Sequence, residues 1–327
     1  MKKTFILTAI FFISYFTQSQ NINYKVGDTI HYKKSIITKN KKTSDYYTII
    51  KNRQKNNDIL FYNLDGYKFL KDSSKFILHS NYSTRYLEVL NSSDGKYIGY
   101  HKNGKKMCEG YKENGRYIDL WKFWYENGQI REERIYPKNT PLKKNFKQYT
   151  IKNFWNLNNQ QTIVNGDGSY EYEIDSIINK GFYKKGVRHG KFSGYKKGIK
   201  HFEEHYLRGK LKAGKSWNSQ GQEFKYKQVF EQPRYKKGQE SIKKHLVKNF
   251  KIPSFALENK IGGKMLVTFR INKNEGIDQI KISKSLCKPC DEEAIRCVKL
   301  MKKWKPAKHR GQLVNVKYTL PITYRVQ

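Results

Sequence analysis

The sequence contains few acidic residues, few prolines and few cysteines, and no long apolar run follows residue 20. Asp and Glu number 28 against 66 Lys and Arg, which gives a formal charge of +38. A strong basic excess suits an anionic partner such as nucleic acid, anionic lipid or sugar phosphate. The lysines are spread along the whole chain without a nucleic-acid-binding motif. We therefore expect weak attraction to anionic surfaces and no specific nucleic-acid binding.

Aromatic residues make up 15% of the chain, and 25 of them are Tyr. This content argues against a largely disordered chain, because ordered cores need such residues. Tyr suits half-buried strands that have one wet edge. The 327 residues are enough for two or three domains.

The N-terminus has the features of a signal peptide. Lys2 and Lys3 form a basic start, and the apolar stretch from Thr4 to Phe16 is too short to span a bilayer comfortably. The small residues Thr17 and Ser19 predict cleavage before Gln20, so residues 1–19 are predicted to be a signal peptide. An uncleaved, short membrane anchor is the alternative. We expect an exported protein of the periplasm or cell envelope, either soluble or held by its N-terminus alone.

The chain has four cysteines, and three of them lie close together near the C-terminus. Cys108 is distant from Cys287, Cys290 and Cys297. Two cysteines separated by two residues before a helix are typical of a thioredoxin-like redox pair, because a helix N-terminus lowers a thiol pKa. The strand before them alternates in polarity, unlike a buried parallel strand. This pattern favours a local disulfide between Cys287 and Cys290, or idle thiols, over redox catalysis.

A hairpin repeat runs through residues 95–226, after a β-rich N-terminal region at 20–94. Each unit has an aromatic residue on a short strand, followed by a turn that ends in Gly. The first array reads Tyr100-x-x-Asn103-Gly104, Tyr111-x-x-Asn114-Gly115 and Tyr125-x-Asn127-Gly128. In the second array the turn glycines are Gly186, Gly198, Gly209 and Gly221.

The pattern resembles MORN-like bacterial hairpin repeats. A single hairpin cannot bury its apolar face alone, so stacked hairpins are expected to share one elongated sheet. The aromatic residues are therefore expected to form its core. The resemblance implies a mainly β architecture and says little about function.

Residues 235–327 predict a separate α+β module with an antiparallel sheet. Met265, Val267, Phe269 and Ile271 alternate with polar residues, as on a half-buried strand. Pro321 is expected to end the last strand. The predicted order is helix, strand, strand, helix, strand, at 240–250, 264–271, 277–283, 291–301 and 314–320.

The motifs of this module resemble the C-terminal domain of TonB-type energy transducers. They are Gly263-Lys-Met-Leu-Val267-x-Phe269, Gly276-Ile277-x-x-Ile280-x-Ile282, Asp291-Glu-Glu293-Ala294-Ile295-Arg296, Trp304-x-Pro306-Ala307, Gly311-x-x-Val314 and Leu320-Pro321-Ile322. The resemblance implies binding to an outer-membrane TonB-dependent transporter, or another envelope protein, by strand pairing. By this resemblance the pairing edge is Val314, Asn315, Val316, Lys317, Tyr318, Thr319 and Leu320. The alternative is an ordinary internal strand of the sheet.

Two features depart from that family. Its members usually have a spanning N-terminal anchor and a long Pro-rich linker, whereas this chain has 7 Pro and a cleavable-looking N-terminus. The repeats would replace the linker as a spacer or second binding surface, or the protein would bind without transducing energy. Inner-membrane motor proteins would be partners only if the N-terminus is an uncleaved anchor.

We predict a non-catalytic protein with no cofactor and no metal site. His201-Phe-Glu-Glu204-His205 matches a metalloprotease pattern, but that chemistry needs a helix and the segment lies within a repeat. Asn165-Gly166-Asp167-Gly168 is better explained by a tight turn than by calcium binding. The alternatives are an exported structural or adhesive protein that binds anionic envelope polymers and, third, a thiol–disulfide oxidoreductase.

Overall fold

Alternating polar and apolar residues form strands along most of the chain, and the predicted fold class is confirmed: a long antiparallel hairpin sheet precedes a C-terminal region of strands and helices. The structure is a computed structural model. It describes residues 24–33, 36–39, 41, 44–56, 59–70, 75–84, 93–138, 149–235, 238–302 and 304–326. The predicted signal peptide lies outside the described residues.

Contacts divide the chain into two units. The array unit consists of Gln18–Ile199 and His205–Lys210, and the C-terminal unit consists of Lys200–Glu204 and Leu211–Gln327. The division therefore falls inside two strands, β15 (Ile199–Leu207) and β16 (Lys210–Trp217). The domain boundaries suggested by the sequence, at 94/95 and near 226–235, stay predictions.

The array unit is an antiparallel meander. Its strands are β1 (Thr29–Lys33), β2 (Ile36–Ile37), β3 (Tyr46–Asn56), β4 (Ile59–Leu70), β5 (Lys75–Thr84), β6 (Ser93–Tyr100), β7 (Lys106–Glu113), β8 (Arg116–Trp124), β9 (Ile130–Tyr136), β10 (Thr150–Trp155), β11 (Gln161–Val164), β12 (Asp167–Ile174), β13 (Ile177–Lys184) and β14 (Val187–Lys196). Each strand from β3 to β14 pairs with the next, and β1 pairs with β2 and β3. Sequential hairpins thus build one continuous sheet.

The core of the array depends on aromatic rings that lie over glycines of the neighbouring strand. Trp121 and Phe192 are both fully buried. A Cβ atom on Gly110 would collide with the Trp121 ring, and one on Gly181 would collide with the Phe192 ring. Because glycine leaves this space empty, each ring packs flat against the sheet. The expectation of core aromatics does not extend to Tyr111, which is 53% exposed.

Two classes of turn connect the strands of the hairpins, although both classes have the same Gly-containing sequence pattern. At Asn114–Gly115 and at Lys185–Gly186 both residues have positive φ, which is the two-residue type I′ geometry. At Asn103–Gly104 only Gly104 has positive φ. There Asn103 Oδ1 accepts a hydrogen bond from the Lys105 amide at 3.0 Å and stabilises a longer loop.

The C-terminal unit contains one main three-stranded sheet and several short pairings. Its elements are β16 (Lys210–Trp217), β17 (Glu223–Tyr226), β18 (Phe230–Glu231), β19 (Arg234–Tyr235), α1 (Gln239–Asn249), α2 (Ser254–Glu258), β20 (Gly263–Ile271), β21 (Ile277–Lys284), α3 (Lys288–Lys299), β22 (Trp304–Lys305), β23 (Ala307–His309), β24 (Gln312–Val314) and β25 (Val316–Tyr324). The main sheet has the order β21-β20-β25, while β23 lies between β18 and β24, and β19 pairs with β22.

The core of this unit lies between the main sheet and helices α1 and α3. The predicted inward residues of β20, from Met265 to Ile271 at every second position, have no exposed surface. Ile242 and Leu246 of α1 and Ala294 and Val298 of α3 are buried in the same cluster. The helix periodicity is therefore confirmed, although α3 begins at Lys288, three residues before the predicted start.

Replacement of Gly181 tests the packing of rings over glycine. Gly181→Ala is expected to lower the free energy of unfolding by about 1–3 kcal/mol, because the new methyl group overlaps the Phe192 ring. Urea denaturation of the full chain measures this loss. In a Phe192→Leu background the same change should cost less, since a smaller and more flexible side chain can move away. Equal losses in both backgrounds would contradict the explanation.

Candidate strand-pairing edge

β25 forms one edge of the main sheet of the C-terminal unit. It pairs with β20 from Val316 opposite Ile271 to Tyr324 opposite Gly263, with no shift of register. Among the described residues, β20 is its only strand partner. In the described part of the chain, the backbone groups on the other side of β25 therefore have no strand neighbour.

Alternation of side chains holds β25 in place. Leu320, Ile322 and Tyr324 point into the core and are at most 5% exposed. Lys317 and Thr319 lie on the opposite face and are exposed. This pattern fixes the register, because a slip by one residue would exchange the buried and exposed sets.

Pro321 does not end the last strand, so that prediction is wrong. The strand continues to Tyr324, and Pro321 lies opposite Leu266. An edge strand tolerates proline where the missing N–H would face away from the neighbouring strand. Along an antiparallel strand, the N–H and C=O groups of one residue point to one side of the strand, and those of the next residue point to the other side. Lys317 and Thr319, which lie four and two residues before Pro321, therefore direct their N–H and C=O groups to the unpaired side.

The opposite edge, β21, is less regular. Its register with β20 shifts between Leu266 and Val267 and again between Thr268 and Arg270. Gln279 of β21 has a φ of 51°, outside the extended region. Bulges of this kind twist an edge and interrupt further pairing. Of the two edges, β25 is the better template for an added strand.

The predicted edge from Val314 to Leu320 is not one continuous strand. Val314 belongs to β24 and pairs with Ala307 of β23. Asn315 separates the two strands, and its Oδ1 accepts a hydrogen bond from the Lys273 amide at 3.0 Å. The part of the predicted edge that lies on β25 is Val316 to Leu320. The reason for the error is that a hairpin and the following strand have the same alternating pattern.

Tyr318 is a half-buried anchor for β25. Its ring centroid lies 5.1 Å from that of Trp304 and 5.5 Å from that of Phe269. Gln239 Nε2 donates a hydrogen bond of 3.2 Å to its hydroxyl oxygen. Trp304 is buried in turn and pairs with Tyr235. The buried Trp304 ring thus packs against the middle of β25 through Tyr318.

A buried ion pair fixes the β23–β24 hairpin that leads into β25. Arg310 and Gly311 form its turn, with φ angles of 50° and 79°. Arg310 Nε donates to Glu204 Oε1 at 2.9 Å, and the guanidinium carbon lies 3.5 Å from the ring centroid of Phe202. Tyr226 Oη donates to the same carboxylate oxygen at 2.8 Å. The Glu204 side chain has no exposed surface.

Backbone and hydroxyl contacts surround this ion pair. The Arg310 amide donates to the Val229 carbonyl at 2.7 Å. Ser216 Oγ donates to the Arg310 carbonyl at 2.7 Å and accepts from Gln312 Nε2 at 2.8 Å. Burial, and after it the Glu204 carboxylate, raises the pKa of Tyr226, so its phenol stays a donor. The hairpin turn is therefore held on the last strands of the repeat region.

The remaining motifs have structural roles. The His201 to His205 segment is a strand, so its histidines lack the helical spacing of a protease, and Glu204 is the partner of Arg310. Asn165 and Gly166 form a tight turn, and Asp167 Oδ1 accepts from the Lys185 amide at 2.6 Å. No group of three or more His, Cys, Asp or Glu within the described ranges is placed to hold a metal ion.

The cysteines fall into one bonded pair and two separate thiols. Cys287 and Cys290 are joined by a disulfide. Cys108 and Cys297 are free and buried. Burial, with a smaller contribution from Glu293, raises the pKa of Cys297 to about 11. Burial also raises the pKa of Cys108. Both free cysteines are therefore protonated thiols at neutral pH and not reactive thiolates.

Comparison with known proteins supports the C-terminal resemblance. Residues 248–326 match the family model described as Gram-negative bacterial TonB protein C-terminal. The match runs from the end of α1 through β25. No curated protein and no solved structure matches the chain. The family match supports a TonB-like protein of the cell envelope in general.

Within the part of the chain that the structure describes, no helix combines the length and the apolar character needed to cross a bilayer.

The Glu204–Arg310 contact had no detectable signal in the sequence. The two residues are 106 positions apart. Glu204 stood out only as part of a protease-like pattern, and Gly311 only as part of the C-terminal motif set. Neither pattern indicates that a buried carboxylate meets the residue before that glycine.

Removal of Arg310 tests the junction. Arg310→Ala is expected to lower the free energy of unfolding by about 3–5 kcal/mol, because it removes the guanidinium that bonds to the buried Glu204 carboxylate. Glu204→Gln combined with Arg310→Met removes both charges and should cost less. Urea denaturation of the full chain measures both losses.

The Arg296–Glu293 pair, in which the arginine is exposed, is the matched control. Arg296 Nε lies 2.6 Å from Glu293, but the arginine side chain is 47% exposed. Arg296→Ala should therefore cost at most about 1 kcal/mol. An Arg310→Ala loss no larger than this one would contradict a structural role for the buried pair.

Proposed function

We propose that this protein is a non-catalytic envelope protein that binds an extended segment of an outer-membrane TonB-dependent transporter, or a related envelope protein, by adding a strand to β25. The observation that carries the proposal is the edge of β25, which has no register shift and no second strand neighbour among the described residues, within the region that matches the TonB C-terminal family. In such complexes main-chain hydrogen bonds supply the affinity, while side chains set the preference for a sequence.

The donors and acceptors of this edge are limited in number. Lys317 and Thr319 would each offer one N–H and one C=O to a partner strand. Pro321 would offer only its carbonyl. A partner segment would therefore form all its backbone hydrogen bonds beside Val316 to Leu320. Beside Pro321, one carbonyl of the partner would lack an N–H donor. The Lys317 side chain, on the exposed face, would favour an acidic or polar neighbour.

The repeat region would act as a spacer or a second binding surface. The ion pair between Glu204 and Arg310 supports the first role, because it holds the hairpin before β25 on the last strands of the repeats. A flexible Pro-rich linker has no counterpart among the 7 prolines of the chain. The last repeat strands, β16 and β17, would then support the edge within the C-terminal unit.

An exported structural or adhesive protein is the second candidate. The formal charge of +38 favours it, because such a surface attracts anionic envelope polymers. Binding of this kind weakens strongly as salt screens the charges. Strand pairing depends on backbone hydrogen bonds, so it should persist at physiological salt.

A proline substitution on the unpaired side of β25 tests the pairing. Thr319→Pro removes one outward N–H and is expected to weaken capture of the transporter by roughly tenfold, the value of about one hydrogen bond. The measurement is recovery from solubilised envelope extracts at physiological salt, with the tagged full chain as bait. The captured proteins are identified by mass spectrometry.

Thr319→Ala is the control, because it keeps the N–H and removes only the side chain. It should capture the partner like the unchanged protein, and circular dichroism should show both variants folded. Recovery of no outer-membrane transporter, or equal recovery by Thr319→Pro, would count against strand pairing. Capture that disappears at moderate salt in all variants would favour the adhesive role.

A further inference from the structure

The Cys287–Cys290 disulfide lies at the start of α3, where the helix favours negative charge. Cys287 is the N-cap of this helix, and its Sγ accepts a hydrogen bond from the Cys290 amide at 3.1 Å. Lys288 follows it directly and is exposed. A helix N-terminus, an amide donor and a nearby cation all stabilise a sulfur that carries negative charge.

The two sulfurs differ in access. Cys290 has no exposed surface, whereas Cys287 is only partly buried. Tyr324 Oη donates to Cys290 Sγ at 3.0 Å from the other side. Burial, and after it the Asp291 carboxylate, raises the pKa of Tyr324, so this phenol keeps its proton. Of the two residues, Cys287 is therefore the more accessible to an external thiol, while Cys290 is buried and has a hydrogen-bond donor in place.

We propose that Cys287 and Cys290 form a site of reversible thiol–disulfide exchange with dithiol proteins of the envelope. A partner thiolate attacks Cys287 Sγ and forms a mixed disulfide. The Cys287–Cys290 bond breaks, and its electron pair passes to Cys290 Sγ, which Tyr324 stabilises until a proton arrives from water. The second partner thiolate then attacks its own chain's sulfur in the mixed disulfide and releases Cys287 as a thiolate.

The step is balanced in atoms and electrons. The partner dithiol loses two electrons and becomes a disulfide, and the Cys287–Cys290 pair gains them and becomes two thiols. The released Cys287 thiolate remains at the helix N-terminus, with the Cys290 amide as its donor. The site does not depend on strand pairing, although Tyr324 is the last residue of β25.

Redox equilibration of the folded full chain with reduced and oxidised glutathione tests the site. After acid quenching and alkylation, mass spectrometry should show Cys287 and Cys290 converting reversibly between disulfide and dithiol as the glutathione ratio changes. Cys108 and Cys297 are buried, free thiols, and they should be found alkylated as thiols, without bound glutathione, at every ratio, which provides an internal control. A pair that stays oxidised at every ratio in the folded protein, but is reduced after denaturation, would overturn the proposal.

Single substitutions test the difference between the two sulfurs. In Cys290→Ser the remaining Cys287 should form a mixed disulfide with oxidised glutathione roughly tenfold faster than Cys290 does in Cys287→Ser. Circular dichroism should show that both variants are folded. Equal rates would contradict the assignment of Cys287 as the attacked sulfur, and the equilibration of the unchanged protein decides the proposal if a variant does not fold.

Discussion

The buried carboxylate of Glu204 is the constraint on which the arrangement of the C-terminal unit depends. An ionised carboxylate inside a protein costs several kcal/mol unless charges and donors surround it. Arg310 and Tyr226 supply both, so the turn of the β23–β24 hairpin has to lie on the last repeat strands. Only Asn315 separates that hairpin from β25. The position of the free edge therefore follows from how one carboxylate is neutralised.

Local patterns predicted helices α1 and α3 and the three strands of the main sheet, but not α2 or the short strands. β20 alternates strictly, and its burial depends only on which face meets the helices. The end of β25 was wrong because Pro321 breaks a central strand but not the outer side of an edge. The hairpin before it was missed because Val314 and Val316 continue one alternating pattern across a change of direction. The partner of Arg310 could not be predicted, since ion pairs between distant segments depend on the completed fold.

In the repeat region, the class of each turn likewise could not be predicted from the sequence. Asn-Gly and Lys-Gly pairs mark the hairpins, but the sequence does not separate two-residue turns from loops closed by an Asn103 side chain. Glycines inside strands, such as Gly181, create the space for Phe192 and were not part of the predicted pattern. The resemblance to MORN-like repeats therefore rests on sequence, with the observed hairpins consistent with it. The match at 248–326 gives the C-terminal region firmer support.

We expect the last repeat strands and the C-terminal sheet to unfold as one cooperative unit that supports the β25 edge. Native-state hydrogen exchange of the full chain tests this cooperativity most directly, because it measures the opening free energy of each strand. Amides of β17 (Glu223–Tyr226) and β20 (Gly263–Ile271) should exchange through a shared opening with the same free energy. Exchange of the β17 amides at much lower free energy, independently of β20, would contradict it.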